Sequence, residues 1–264
     1  MSSFNTVFAV LAGSRSDAAV LDAAAALAGK EGRVSALAVR SDPVRVLPMV
    51  GEAGAAAAAE LMSVLEEQAK ARAARARSGF EAWRAKAGAV RAEFQEAKGH
   101  PSETAAALAR NADVVAVARP REEDEPMAAA LVEACLFGSG RPVLMVPPNP
   151  PKKIGARVGV LWDGSRTAAR ALGDAMPLLA DAQSVTVFTA GGVDEEVPSA
   201  DAVARRLQAG GVKAAAKTVA ASGEEGQALV AAAAEAGCDL LVMGGYGHSR
   251  LREMILGGVT RHML

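Results

Sequence analysis

Residues 239–260 hold the groups whose types and spacing suit chemistry. Asp239-Leu240-Leu241-Val242-Met243 is an apolar run opened by an acid, and it passes directly into Gly244-Gly245-Tyr246-Gly247. After nine further residues come Gly257, Gly258, Val259 and Thr260. Glycines at the end of a strand let the backbone approach a ligand, because no Cβ stands in the way. A glycine pair that opens a helix exposes amide hydrogens, and helix N-termini attract anions. In an open α/β sheet, phosphate-bearing ligands sit at such strand ends. Asp163 also ends an apolar run, and a carboxylate is a strong hydrogen-bond acceptor. The same residues have a structural reading: Asp163-Gly164-Ser165 before a helix is ordinary capping chemistry, and Gly257-Gly258 can simply join two helices.

The elements that must position these residues form a repeat. One copy begins Val7-Phe8-Ala9-Val10-Leu11-Ala12-Gly13-Ser14-Arg15, the other Val158-Gly159-Val160-Leu161-Trp162-Asp163-Gly164-Ser165-Arg166. Each apolar run ends in Gly-Ser-Arg and leads into an alanine-rich helical pattern, Asp17 to Ala28 and Thr167 to Leu179. Second strands are expected at 33–39 and 184–189, third strands at 90–97 and 212–220. Fourth strands opened by Asp are expected at 113–117 and 239–243. Short apolar runs separated by helical segments indicate buried parallel strands, and so two doubly wound domains. Arg141 to Val146 adds a fifth strand to the first copy. Pro147-Pro148-Asn149-Pro150-Pro151-Lys152-Lys153 is a linker, since proline removes donors and stiffens the chain. The expected domains are therefore 1–147 and 154–264. The first carries a long extra amphipathic helix at about 53–86, and the second stops at Leu264 without a fifth strand.

Composition narrows the function classes. The hydrophobic fraction is 51% but aromatics are only 3%, so the core must be built from Ala, Val and Leu. A net charge of −1 argues against nucleic-acid binding. No apolar run approaches the ~18 residues of a membrane span, and the N-terminus lacks the basic start of a signal peptide. Cys135 and Cys238 show no metal-ligand spacing and read as free thiols of a reducing cytoplasm. His100, His248 and His262 are too scattered for a metal cluster. No phosphate-loop lysine, Gly-x-Ser-x-Gly elbow or accompanying general base is visible, so the chain reads as non-catalytic. Weak ATPase activity by positioned water stays open.

With these residues in view, the chain resembles the universal stress protein family in its tandem two-domain form. That family's signature is Gly, two residues, Gly, nine residues, then Gly followed by Ser or Thr. Gly244, Gly247 and Gly257 match it, whereas Gly258 stands where Ser or Thr is usual. The resemblance implies two Rossmann-like domains of the adenine nucleotide α hydrolase-like kind, with strand order 3-2-1-4-5. It implies that Asp163 holds adenosine and that Thr189 or Ala190, ending the second strand, packs on the adenine edge. Met243 would line the same pocket. Gly244, Gly247, Gly257, Gly258, Val259 and Thr260 would take the phosphates of ATP or AMP, with Mg2+ undecided. Tyr246 replaces a common histidine, and Trp162 is bulkier than the usual residue before the Asp. Losing a hydroxyl at Gly258 removes about one hydrogen bond, roughly 0.5–1.5 kcal/mol.

The first copy reads as degenerate. It offers Ala12 in place of Asp163 and Ala118-Arg119-Pro120-Arg121 in place of the glycines. Glu122-Glu123-Asp124-Glu125 then sets carboxylates where phosphates would lie, and like charges repel. Two functions remain in play: an adenine-nucleotide-binding stress-response protein with its ligand in the second copy, and a ligand-free dimeric scaffold. In this family fifth-strand edges often pair, so Val143 to Val146 is the expected homodimer edge.

Overall fold

The computed structural model describes residues 4–43, 55–120, 126–191, 196–220 and 225–245. The chain divides into two compact units, one ending at Pro150 and the other beginning at Pro151. In the first unit, β1 (Thr6–Leu11), α1 (Asp17–Ala28), β2 (Arg33–Ser41), α2 (Ala55–Arg84) and β3 (Arg91–Gly99) come first. They are followed by α3 (Pro101–Ala109), β4 (Val114–Ala118), α4 (Pro126–Gly138) and β5 (Val143–Val146). The sheet order is β3-β2-β1-β4-β5, all parallel.

The second unit contains β6 (Arg157–Leu161), α5 (Arg166–Asp174), α6 (Met176–Asp181) and β7 (Ser184–Ala190). It continues through α7 (Ala200–Ala209), β8 (Ala214–Val219), α8 (Glu225–Glu235) and β9 (Leu240–Met243). Its order is β8-β7-β6-β9, again parallel, which repeats the first four positions of the other sheet. The doubly wound α/β expectation therefore holds in both units. One helix expected over Thr167 to Leu179 is instead two. Pro177 lies in the first turn of α6, and a proline inside a longer helix would lack its N–H and clash with the preceding turn. Ala175 ends α5 and starts α6.

The aspartates that open the fourth strands have a shared structural task. Asp239 accepts from three backbone amides at the start of β6: Gly155 at 2.8 Å, Ala156 at 3.0 Å and Arg157 at 3.1 Å. Asp113 accepts from Thr6 N at 2.9 Å, at the start of β1. Each carboxylate ties the beginning of its unit's central strand to the strand beside it.

Helix α2 shows why the alanine-rich sequence packs so closely. Ala69, Ala73, Ala76, Phe80 and Trp83 are buried at three- and four-residue spacing, which is one face of a helix. Phe80 lies 5.4 Å from Phe94 of β3, and Trp83 Nε1 donates to Asp22 Oδ1 of α1 at 2.8 Å. Upstream of this seat the helix exposes Leu61 and Val64.

Candidate functional site

The carboxyl ends of β6, β7 and β9 lie side by side in the second unit. Leu161 is in register with Phe188 and with Met243, and Trp162 N donates to Phe188 O at 2.8 Å, one residue beyond β6. This brings Asp163, Ala190, Met243 and Gly244 to one edge of the sheet. Ala190 is the last residue of β7 and pairs with Val219, while Thr189 beside it is buried. Met243 ends β9 and packs with Leu161, Phe188, Ala232 and Ala233. Tyr246, Gly247, Gly257, Gly258, Val259 and Thr260 lie outside the described residues.

Asp163 is half-buried, and its Oδ1 accepts from Ser165 N at 2.9 Å. Ser165 Oγ caps α5 by accepting from Ala168 N at 3.1 Å, and lies 3.0 Å from Thr167 Oγ1. Gly164 adopts φ +76°, which lets the chain turn sharply between the strand and the helix. Asp163 thus braces the turn before α5, and Ser165 rather than Asp163 is the N-cap.

Gly244 sits against the first turn of α5. A Cβ on it would meet Ala168 N at 2.5 Å and Thr167 Oγ1 at 2.8 Å, whereas one on Gly245 would meet none of the described residues within 4 Å. The first glycine is therefore required by helix–strand packing, and the second is under no such constraint from the described residues. Thr167 went unremarked in the sequence as a wall of this site; its position two residues after Ser165 carries no signal without the fold.

Trp162 is buried, and its side chain joins the cluster containing Val160, Ala168, Leu172, Val203 and Leu207. Its indole N–H donates to Pro198 O at 2.7 Å, just ahead of α7. It is a core residue with one anchored polar atom.

The matching loop of the first unit is differently built. Asp17, buried at 5% exposure, accepts from Ala12 N at 3.1 Å, Gly13 N at 2.9 Å and Ser14 Oγ at 3.2 Å. The acid missing at residue 12 is replaced by one on the first turn of the following helix. A Cβ on Gly13, at φ +70°, would meet Arg72 O at 2.4 Å, and Arg75 Nε donates to Gly13 O at 3.1 Å. Helix α2 therefore lies directly on this loop. The paired loss and gain of an acid was readable by aligning the two Gly-Ser-Arg loops.

Burial raises the Asp17 pKa above its ordinary value, against the opposing hydrogen bonds from Ala12, Ser14 and Gly13. The folded state then binds a proton at higher pH than the unfolded chain does. Between those two pKa values the contribution of Asp17 to stability falls as pH rises, and it is largest below the unfolded value. Urea unfolding of the wild type and Asp17→Asn from pH 4 to 7 should show this as a gap that changes with pH. A gap constant across that range contradicts it.

A model described as the universal stress protein family matches residues 156–264. Residues 156–264 belong to the universal stress protein family. A universal stress protein of Archaeoglobus fulgidus DSM 4304 is 19% identical and similar over 97% of this chain and 90% of its own, with a TM-score of 0.66. A protein of Pseudomonas aeruginosa UCBPP-PA14 assigned to the same family is 12% identical over 98% of this chain and 88% of its own, with a TM-score of 0.51. A universal stress protein solved in complex with cAMP is 19% identical over 56% of this chain and all of its own, with a TM-score of 0.40. No curated protein sequence matches the chain. The full-length likenesses establish that the universal stress protein fold extends through both units. No helix among the described residues is long and apolar enough to cross a membrane.

Proposed function

We propose that this chain is a non-catalytic, adenine-nucleotide-binding stress-response protein that takes ATP or AMP in its second unit. The observation that carries the reading is the junction of Met243 with Gly244 and Gly245, set beside Asp163 at the carboxyl edge of a universal stress protein domain. Gly245 has no neighbour within 4 Å of a Cβ position among the described residues, and backbone amides near a helix start suit phosphate oxygens. The first unit is the degenerate partner in this reading. Its loop amides are already held by Asp17, and α2 abuts Gly13.

The thiols support a binding role over a nucleophilic one. Burial pushes Cys135 up to about 11, and it also raises Cys238. Neither is a ready thiolate at neutral pH. Two free cysteines also suit a reducing cytoplasm. The β5 edge, paired only with β4 among the described residues, is the proposed contact with a second copy.

Identification of the small molecules released from the purified protein tests the reading. ATP or AMP should be found at up to one per chain. Titration calorimetry should then give measurable affinity that falls at least about tenfold in Asp163→Ala, equivalent to ~1.4 kcal/mol. The alternative is a ligand-free dimeric scaffold. It is favoured by the fact that Asp163 and Gly244 both have structural roles of their own, one in a turn and one in helix–strand packing. No released nucleotide together with a flat titration would select it.

A further inference from the structure

We infer that Trp162 is the positioning residue of the site. It fixes both ends of the connection between β7 and α7, and so sets where the end of β7 meets the base of a ligand. The inference rests on the nucleotide reading above and adds to it the residue through which base selectivity is held.

Two bonds from one residue carry the argument. The Trp162 backbone N–H donates to Phe188 O at 2.8 Å, extending the β6–β7 ladder past the end of β6. Its indole N–H donates to Pro198 O at 2.7 Å. Pro198 directly precedes Ser199, whose Oγ caps α7 by accepting from Ala202 N at 3.2 Å. The chain that leaves β7 and the chain that enters α7 are therefore tied to the same residue. Ala190 lies two residues past the first tie, and Gly191, at φ +68°, begins the turn away from the strand.

The indole is held in place by its surroundings. It is buried at 6% exposure in a cluster that includes Ala168 and Leu172 of α5 and Val203 and Leu207 of α7. A buried donor must be paired, and the Pro198 carbonyl serves as its acceptor. The next residue is Asp163, so the same short stretch sets both the carboxylate and the connection beside Ala190. Aligning the two Gly-Ser-Arg loops puts Leu11 at this place in the first unit. Leucine fills a core but has no side-chain N–H to anchor a connection. The tryptophan thus occurs in the copy that keeps the acid and the glycines.

Trp162→Phe keeps most of the buried ring and removes the donor. The full-length wild type and variant should be titrated with ATP, GTP and inorganic tripolyphosphate. The expected result is a roughly tenfold loss of ATP affinity, with the ATP-over-GTP preference falling towards one and the tripolyphosphate affinity kept within about twofold. A merely structural role would lower all three together. An unchanged ATP-over-GTP preference in the folded variant overturns the inference and leaves the nucleotide reading standing. No binding of ATP by the wild type overturns both.

A measurement on the wild type covers the case in which the variant does not fold. Trp83 and Trp162 are the two tryptophans of the chain, so their indole protons are separable by NMR. The Trp162 indole proton should exchange slowly with solvent, and ATP should shift it while leaving Trp83 in place. Exchange as fast as free indole, or no shift at saturating ATP, overturns the inference.

Discussion

Gly244→Ala should cost about 3 kcal/mol of stability, at the upper end of what overpacking typically costs. The added methyl would stand 2.5 Å from Ala168 N and 2.8 Å from both the Thr167 carbonyl carbon and Thr167 Oγ1. Two of these three atoms are backbone in the first turn of α5, so no rotamer change relieves the collision. Either α5 shifts away from β9 or the carboxyl end of β9 moves. Both disturb the Ser165 cap and the Asp163 turn, because these lie within the same few residues. Nucleotide affinity should therefore fall along with stability. Gly245→Ala is the control, since its methyl would meet none of the described residues within 4 Å. That change should alter stability by no more than about 0.5 kcal/mol. Chemical unfolding of the two variants checks the contrast, and equal destabilisation would refute the packing explanation for the first glycine.

Asp239→Ala should be comparably severe, at about 3 kcal/mol. Three amides lose a charged acceptor together, and bonds to a charged group are worth about 1.5–3 kcal/mol each but do not add fully. Water can reach part of the half-buried site, which limits the loss. Asp113→Ala removes one recorded amide bond in the equivalent place and should cost about half as much. Urea unfolding monitored by circular dichroism measures both. A larger loss at Asp113 than at Asp239 would contradict the account.

Much of the architecture was legible because buried parallel strands leave a simple signal. Val7 to Leu11 and Val158 to Leu161 are short apolar runs, each followed after one or two residues by Gly-Ser-Arg, and the repeat follows from that alone. The break between α5 and α6 is hidden because the apolar spacing continues through Pro177, and the proline is its one local sign. The site was legible only in part. Asp163 and Gly244 stand out by type and spacing, but the same spacing cannot separate a ligand contact from a helix cap or a close backbone crossing. Asp163 braces the turn ahead of the helix cap Ser165, and Gly244 is such a crossing. Thr167 and Pro198 were invisible, since each matters through a contact across the fold. The task of Asp239 was invisible for the same reason: nothing local indicates that its carboxylate reaches back to residues 155–157.

The Asp17 carboxylate has a thermodynamic corollary. A loop that supplies its own counter-ion gains nothing from one in solution, so raising phosphate or nucleotide concentration gives it no mass-action support. The melting of residues 3–150 should accordingly be indifferent to the metabolite pool. Any ligand-dependent rise in melting temperature would belong to the other half alone, leaving one steady body and one that reports on its surroundings.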